Sequence, residues 1–511
     1  MNKPHIFCLL QLRPLSLKGG SLRSRRGIND EKCINTKIPR LLRKLPPLHA
    51  KGALLPTSFK LLPIFVLSFC LTGCETITHE AAQTVVSQLQ SRAKNTDYPA
   101  ATSHNHNLIS SPPSVDLSQY QSVENRPHQR PDIAIAIAAS GGGYRAANLT
   151  AGVLMGLEKI TDPNLQGNLL EEVDYFSTVS GGGFGVGYYI ASLKDFIQTH
   201  GQNSPFAAQF SFVNTMNNLS DNNPLDTDYT GELFFGDNRG QQIEQSFADN
   251  ILRTKTGTLK LNDIFIPRDH SPSEVQLPYW VTNSTVYQNA ALFPFTPTVL
   301  KRYGINRYEY NNQFYNIRDT GEIPAAIGMA ASASFPFALT PTTLGSQQCG
   351  FTQNCYLQLL DGGLSDNLGV YTALDLLRQD PAKTKILIVI DAYAGEEQPF
   401  SKQSTPPADT TLFWRIMDIG VDASRQLVKR NIHTMARDEL CFNKTKNVLV
   451  IYLDLENYTR AREISTGLFI TRKQQKLLLD IGQSLVANNP QFNQLLKPLL
   501  DGNTKIGQCP I

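Results

Sequence analysis

Every position from 133 to 138 is apolar, with isoleucine on one face and alanine on the other: Ile133-Ala134-Ile135-Ala136-Ile137-Ala138. A strand that is apolar on both faces suits the interior of a parallel sheet, where helices cover each side. Glycines at 141–143 break the run, and residues 148–160 then follow a helical pattern. The same order recurs downstream. Residues 172–179 predict a strand, and 186–196 predict a helix after further glycines. Short apolar runs at 357–360, 386–390 and 448–453 are followed by helical patterns at 370–377, 412–428 and 474–486. Strands alternating with helices predict an α/β sheet with right-handed crossovers. Residues 200–320 differ: they are rich in Asn, Asp, Phe and Tyr and weakly periodic. They read as a loop-rich insertion between core strands, of the kind that forms lids or binding walls.

Upstream, residues 79–93 predict one amphipathic helix with Val85, Val86 and Leu89 on a common side. Residues 94–131, rich in Asn, Ser, His and Pro, read as a tether or a surface strap. The ordered core is expected from Asp132 to about residue 490, with 491–511 as a tail. Residues 61–71 are apolar and uncharged and follow Lys51 and Lys60. That is too short for a membrane-spanning helix, which needs about 20 apolar residues, but it suits the core of a secretion signal. Leu71-Thr72-Gly73-Cys74 comes next and resembles the lipobox of bacterial lipoproteins. The resemblance implies that residues 1–73 are removed and that Cys74 carries the lipid. Glu75 stands where an aspartate would signal inner-membrane retention, so outer-membrane anchoring is the implied location.

Charge sharpens this division. The 511-residue chain has a net charge of +3, but residues 1–73 hold thirteen of its 47 Lys/Arg and two of its 44 acids. The remainder therefore keeps 34 basic and 42 acidic residues, a net of −8. A body of that sign repels nucleic acid and has no general attraction to anionic lipid. Outside the leader and Cys74, four cysteines remain: Cys349, Cys355, Cys441 and Cys509. The short loop between Cys349 and Cys355 favours a local disulfide, with Cys441 and Cys509 as the other pair. Four free buried thiols are the alternative. No CxxC or His-rich metal spacing is present, and no metal or organic cofactor is expected.

Three loops carry candidate chemistry. Ser140-Gly141-Gly142-Gly143-Tyr144-Arg145 closes a strand and opens a helix. The N–H groups of Gly141, Gly142 and Gly143, with the positive end of the helix dipole, suit an oxyanion site. Gly141-x-Gly143-x-x-Ala146 also fits a dinucleotide fingerprint, and an ordinary strand–helix turn is the plain alternative. In Thr178-Val179-Ser180-Gly181-Gly182, a serine at a sharp strand-to-helix turn is forced outward as a nucleophile. The elbow pattern has glycine where Thr178 stands, and an N-capping serine would read similarly. Asp361-Gly362-Gly363-Leu364-Ser365-Asp366-Asn367 follows a strand and is either a catalytic carboxylate loop or a common Asp-Gly turn. Of the seven histidines beyond the leader (His79, His104, His106, His128, His200, His270 and His433), none falls in a strand-end loop beside Ser180. Asp361 is then the candidate base.

These loops, in this order, resemble the patatin-like phospholipases and their cytosolic phospholipase A2 relatives. Residues 330–336 (Ala-Ala-Ser-Ala-Ser-Phe-Pro), Asn367 and the 464–468 segment add weaker matches. The resemblance spans about residues 131–490, with 200–320 poorly matched. It implies a three-layer α/β sandwich around a mostly parallel sheet, and a Ser180–Asp361 dyad with a glycine oxyanion loop. The implied substrate is a phospholipid or lysophospholipid at the membrane that carries the anchor. For Arg145 it implies contact with a lipid phosphate, alongside which a structural salt bridge or cap stands equally. A catalytically inactive lipid-binding lipoprotein is the alternative function.

Overall fold

The computed structural model describes residues 114–122, 130–162, 165, 167–200, 210–219, 224–225, 239–269, 276–310, 313–336, 338–348, 355–393, 409–441 and 445–500. Cys74, the expected 79–93 helix, Cys349 and Cys509 lie outside them. Cys355 and Cys441 are each disulfide-bonded.

Ten strands form one sheet: β1 (Ile133–Ala139), β2 (Tyr175–Val179), β3 (Tyr279–Val286), β4 (Leu292–Phe295), β5 (Ile305–Tyr310), β6 (Gln313–Asn316), β7 (Thr342–Ser346), β8 (Cys355–Asp361), β9 (Thr384–Asp391) and β10 (Asn447–Asp454). The strands β10-β9-β1-β2-β3 pair in parallel throughout; β8 pairs antiparallel with β3, β7 with β8, β5 with β7 and β6 with β5. The central strands β1 and β9 are buried along their whole length, as their two-sided apolar pattern requires.

Helices flank the sheet as α1 (Gly143–Glu158), α2 (Gly182–His200), α3 (Ala325–Ser332), α4 (Val370–Gln379), α5 (Asp409–Leu440) and α6 (Arg472–Ala487). Helices α1, α2 and α6 pack on one face, while α4 packs on β1, β2 and β9 and against α5. This is an α/β sandwich: a mixed sheet, parallel at its centre, between helices. Helix α1 begins at Gly143, earlier than its pattern predicts, and α5 runs from Asp409 to Leu440, longer than predicted.

Residues 114–122 are a docked strap rather than a loose tether. Val115 N–H and Ser114 Oγ each donate to Asp375 at 2.9 Å, Gln121 N–H donates to Ile266 O at 2.9 Å, and Tyr120 is buried.

The main departure from the sequence expectation is β3, which lies inside the segment read as an insertion. It is a core strand, fully buried, yet half of it is polar: Thr282-Asn283-Ser284-Thr285. Hydropathy does not mark a buried strand whose side chains bond to one another and to neighbouring loops.

Candidate active site

The sheet brings two loops together through β3. Val179, the last residue of β2, pairs with Asn283, and Asp361, the last residue of β8, pairs with Ser284. Strand β4 pairs with β3 over Thr282–Thr285. At Thr282 and Asn283 it lies opposite β2, and at Ser284 and Thr285 opposite β8. Hence β2 and β8 occupy the same edge of β3 and meet end to end. Consecutive Cα atoms are about 3.8 Å apart, so the turns after Val179 and at Asp361 are neighbours by construction.

Ser180 sits in the turn after β2 with φ +47°. Only Ser180 and Ala290 among the described non-glycine residues have positive φ. Such a conformation costs of order 1–3 kcal/mol and persists only where the surroundings enforce it. Here Ser180 N–H donates to Ser332 Oγ at 2.9 Å, and Ser332 Oγ donates to Asn283 O at 2.5 Å. The turn also presses on the glycine-rich loop: a Cβ at Gly181 would stand 1.9 Å from Gly143 O.

Asp361 is held from the same place. Its N–H donates to Ser334 O at 2.9 Å, Gly362 N–H donates to Ser332 O at 3.2 Å, and Thr285 Oγ1 donates to Asp361 O at 2.9 Å. Asp361 is 4% exposed, and its carboxylate accepts from Gly363 N–H at 2.7 Å with the Ser180 side chain beside it. Burial pushes its pKa up to about 6, against the pull of those two neighbours. A carboxylate so placed can take a serine proton near neutral pH. The two described histidines are elsewhere. His200 ends α2, its ring stacked on Phe196 at 4.2 Å, and His433 is exposed on α5.

The glycine loop closes the third side. Ser140 N–H donates to Ile390 O at 2.9 Å, and Ala392 N–H donates to Ser140 Oγ at 2.8 Å. A Cβ at Gly141 would stand 3.4 Å from Ser180 Cβ. Gly141 N–H, however, already donates to Asn367 O at 3.0 Å, which removes it from the three expected oxyanion donors. Gly142 and Gly143 N–H groups bond to no described residue, as befits the first amides of a helix. Gly143 has φ +59°, and a Cβ there would stand 2.1 Å from Gly467 O.

Arg145 is buried against the protein. It is 4% exposed, with Nε donating to Ala392 O at 2.8 Å and Nη1 to Ile464 O at 2.6 Å. Of the two roles the sequence left open, the structure shows the brace and not the phosphate contact: two of its donors are turned onto carbonyls that tie α1 to the loops after β9 and near residue 464.

Thr178, the departure from the elbow pattern, is accommodated. Its Oγ1 accepts from Trp280 Nε1 at 2.9 Å, and room is made by Gly183, where a Cβ would stand 3.0 Å from that oxygen. Asn283 was missed by sequence reasoning because β3 was. It donates from Nδ2 to Ser177 Oγ at 2.9 Å and to Thr178 O at 3.1 Å, and accepts from Thr372 Oγ1 at 2.6 Å. Ser332 had a signal, the Ala/Ser-rich 330–336 segment, but no assigned role.

The arrangement supplies a proton acceptor on a strained serine, beside free helix-start amides, as covalent acyl transfer requires. The family model for patatin-like phospholipases matches residues 137–374, from within β1 into α4. No curated protein matches the chain.

Proposed function

We propose that this chain, whose residues 137–374 match the family model for patatin-like phospholipases, hydrolyses phospholipid or lysophospholipid esters through Ser180 and Asp361. The observation that carries the reading is Ser180, held at φ +47° beside the buried Asp361 carboxylate. Asp361 accepts the hydroxyl proton as Ser180 Oγ attacks the ester carbonyl carbon. The N–H groups of Gly142 and Gly143 receive the charge on the carbonyl oxygen. Each such donor is worth about 2.7–4 kcal/mol of barrier. The intermediate collapses to an acyl-serine, and protonated Asp361 returns its proton to the departing alkoxide. Asp361 then deprotonates a water, which attacks the acyl-serine; as the bond to Ser180 Oγ breaks, Asp361 returns the proton to that oxygen and the fatty acid is freed.

We further propose that the protein works at a bacterial envelope membrane, lipid-anchored through Cys74 and facing the periplasm from the outer membrane. The basic flank, apolar run and Leu71-Thr72-Gly73-Cys74 support this. Labelled palmitate incorporated by the chain, and lost in Cys74→Ser, tests it.

For the activity, the experiment is fatty-acid release from mixed phospholipid and lysophospholipid micelles, with Ser180→Ala and Asp361→Ala beside the parent. Release by the parent alone supports the dyad, and the products identify the bond cut. An inert parent, or an active Ser180→Ala, would leave a lipid-binding protein without this chemistry.

A further inference from the structure

We propose that the first half of α5 is a membrane-docking face, whose outward apolar stripe enters a zwitterionic phospholipid surface and seats the Ser180–Asp361 end of the sheet upon it. The proposal rests on the lipid substrate argued above. Among the described residues, four large aliphatic side chains stand exposed, and all four are on this helix: Leu412 (43%), Ile416 (57%), Ile419 (50%) and Leu427 (61%). With Ala423, also exposed, they are spaced 4, 3, 4 and 4 residues apart. At 3.6 residues per turn they fall within an arc of about 80° and extend about 22 Å along the axis.

An ordinary surface helix turns such a stripe inward. The later part of α5 does so, burying Val428, Ile432, Ala436 and Leu440. From 415 to 424 no residue is buried. The helix is instead fastened by charge: buried Arg425 bonds Asp391 at 2.9 Å and Asp422 at 3.3 Å, and lies 4.2 Å over the Tyr393 ring. Arg415 pairs with Asp418 at 2.5 Å. These pairs lie to one side of the stripe and leave it uncharged. Among the described residues no helix is long and apolar enough to cross a membrane, so a spanning role is not what the stripe serves.

Position selects the occupant. Helix α5 packs on Gly363–Asp366, the turn that follows Asp361, and Asp391 lies at the C-terminal end of β9, where Ala392 holds Ser140 and Arg145. The stripe therefore belongs to the end of the sheet that carries the site, where a lipid must arrive. It lies beyond residues 137–374, so the family match does not speak to it. Residues beyond the leader carry a net charge of −8, which points to zwitterionic rather than anionic headgroups.

The test is partition onto phosphatidylcholine vesicles of the full chain carrying Cys74→Ala and Ser180→Ala, so that neither acylation nor turnover intervenes. Adding Ile416→Glu with Ile419→Glu should lower the partition coefficient at least tenfold with an unchanged melt, whereas Phe314→Glu, an exposed apolar site on β6, should not. If the pair disturbs folding, Leu412→Glu and Leu427→Glu, made separately, repeat the test. Partition within threefold of the parent, or an equal loss with Phe314→Glu, overturns the proposal. So does a parent that sediments as a dimer and becomes monomeric in the variant without losing vesicle binding, since a second copy then covers the stripe. Ester hydrolysis by the Cys74→Ala chain is measured separately: its absence would sink the proposed activity and leave the docking result standing.

Discussion

Ser180 and Asp361 stand side by side because their strands abut on one edge of β3, at Asn283 and Ser284. The proposed nucleophile follows a parallel strand and the proposed base ends an antiparallel one, so both chain directions point at the same spot. A single register fixes the pair without a third residue between them.

The pKa of Asp361 gives two pH signatures. The proposed mechanism needs the carboxylate, so hydrolysis should rise as pH passes through about 6 and level off above it. Stability runs the other way. The folded pKa lies above the ordinary 3.8, so the native state holds the proton more tightly, and stability falls as pH rises from 3.8 to about 6. A shift of about two units corresponds to about 3 kcal/mol. Asp361→Asn should therefore be inactive yet more stable than the parent at pH 8, with the difference vanishing near pH 4. Denaturant melts at the two pH values check this.

Arg145→Met should act through structure. Its loss frees the carbonyls of Ala392 and Ile464, each a buried group costing about 1–3 kcal/mol unpaired. The melting temperature should fall, and turnover should drop alike on phospholipid and on simple esters that lack phosphate. A rise in KM confined to phospholipids would instead restore the phosphate contact.

Ser332→Ala removes the hydroxyl that joins Ser180 N–H to Asn283 O. The strained turn should relax, reducing kcat about tenfold or more with little change in KM, for a barrier increase of about 1.4 kcal/mol or more. An unchanged kcat would show that Ser180 is held by other contacts.

Thr178 and Gly183 should couple. Thr178→Gly restores the glycine of the elbow pattern but orphans Trp280 Nε1, at a cost of about 1–3 kcal/mol. Gly183→Ala should destabilise the parent, whose Thr178 Oγ1 would be 3.0 Å from the new methyl, and cost less in Thr178→Gly. A double-mutant cycle with no interaction energy would show that the space is not shared.

The parallel centre of the fold was legible in the sequence because β1, β2, β9 and β10 are apolar runs followed by helices, and burial between helices demands that pattern. The serine, aspartate and glycine loops were legible because a strand-end turn restricts which residues fit. What the sequence alone left open was decided by long-range pairing. Strand β3 escaped notice because its polar side chains spend themselves on Ser177, Thr178 and Asp361, contacts made only once the sheet exists. Gly141 and Arg145 changed role for the same reason. Asn367 O, Ala392 O and Ile464 O, the carbonyls that take up their donors, come from distant parts of the chain. Local pattern shows which groups a chain offers, but only tertiary contact decides which of them are already bound to one another.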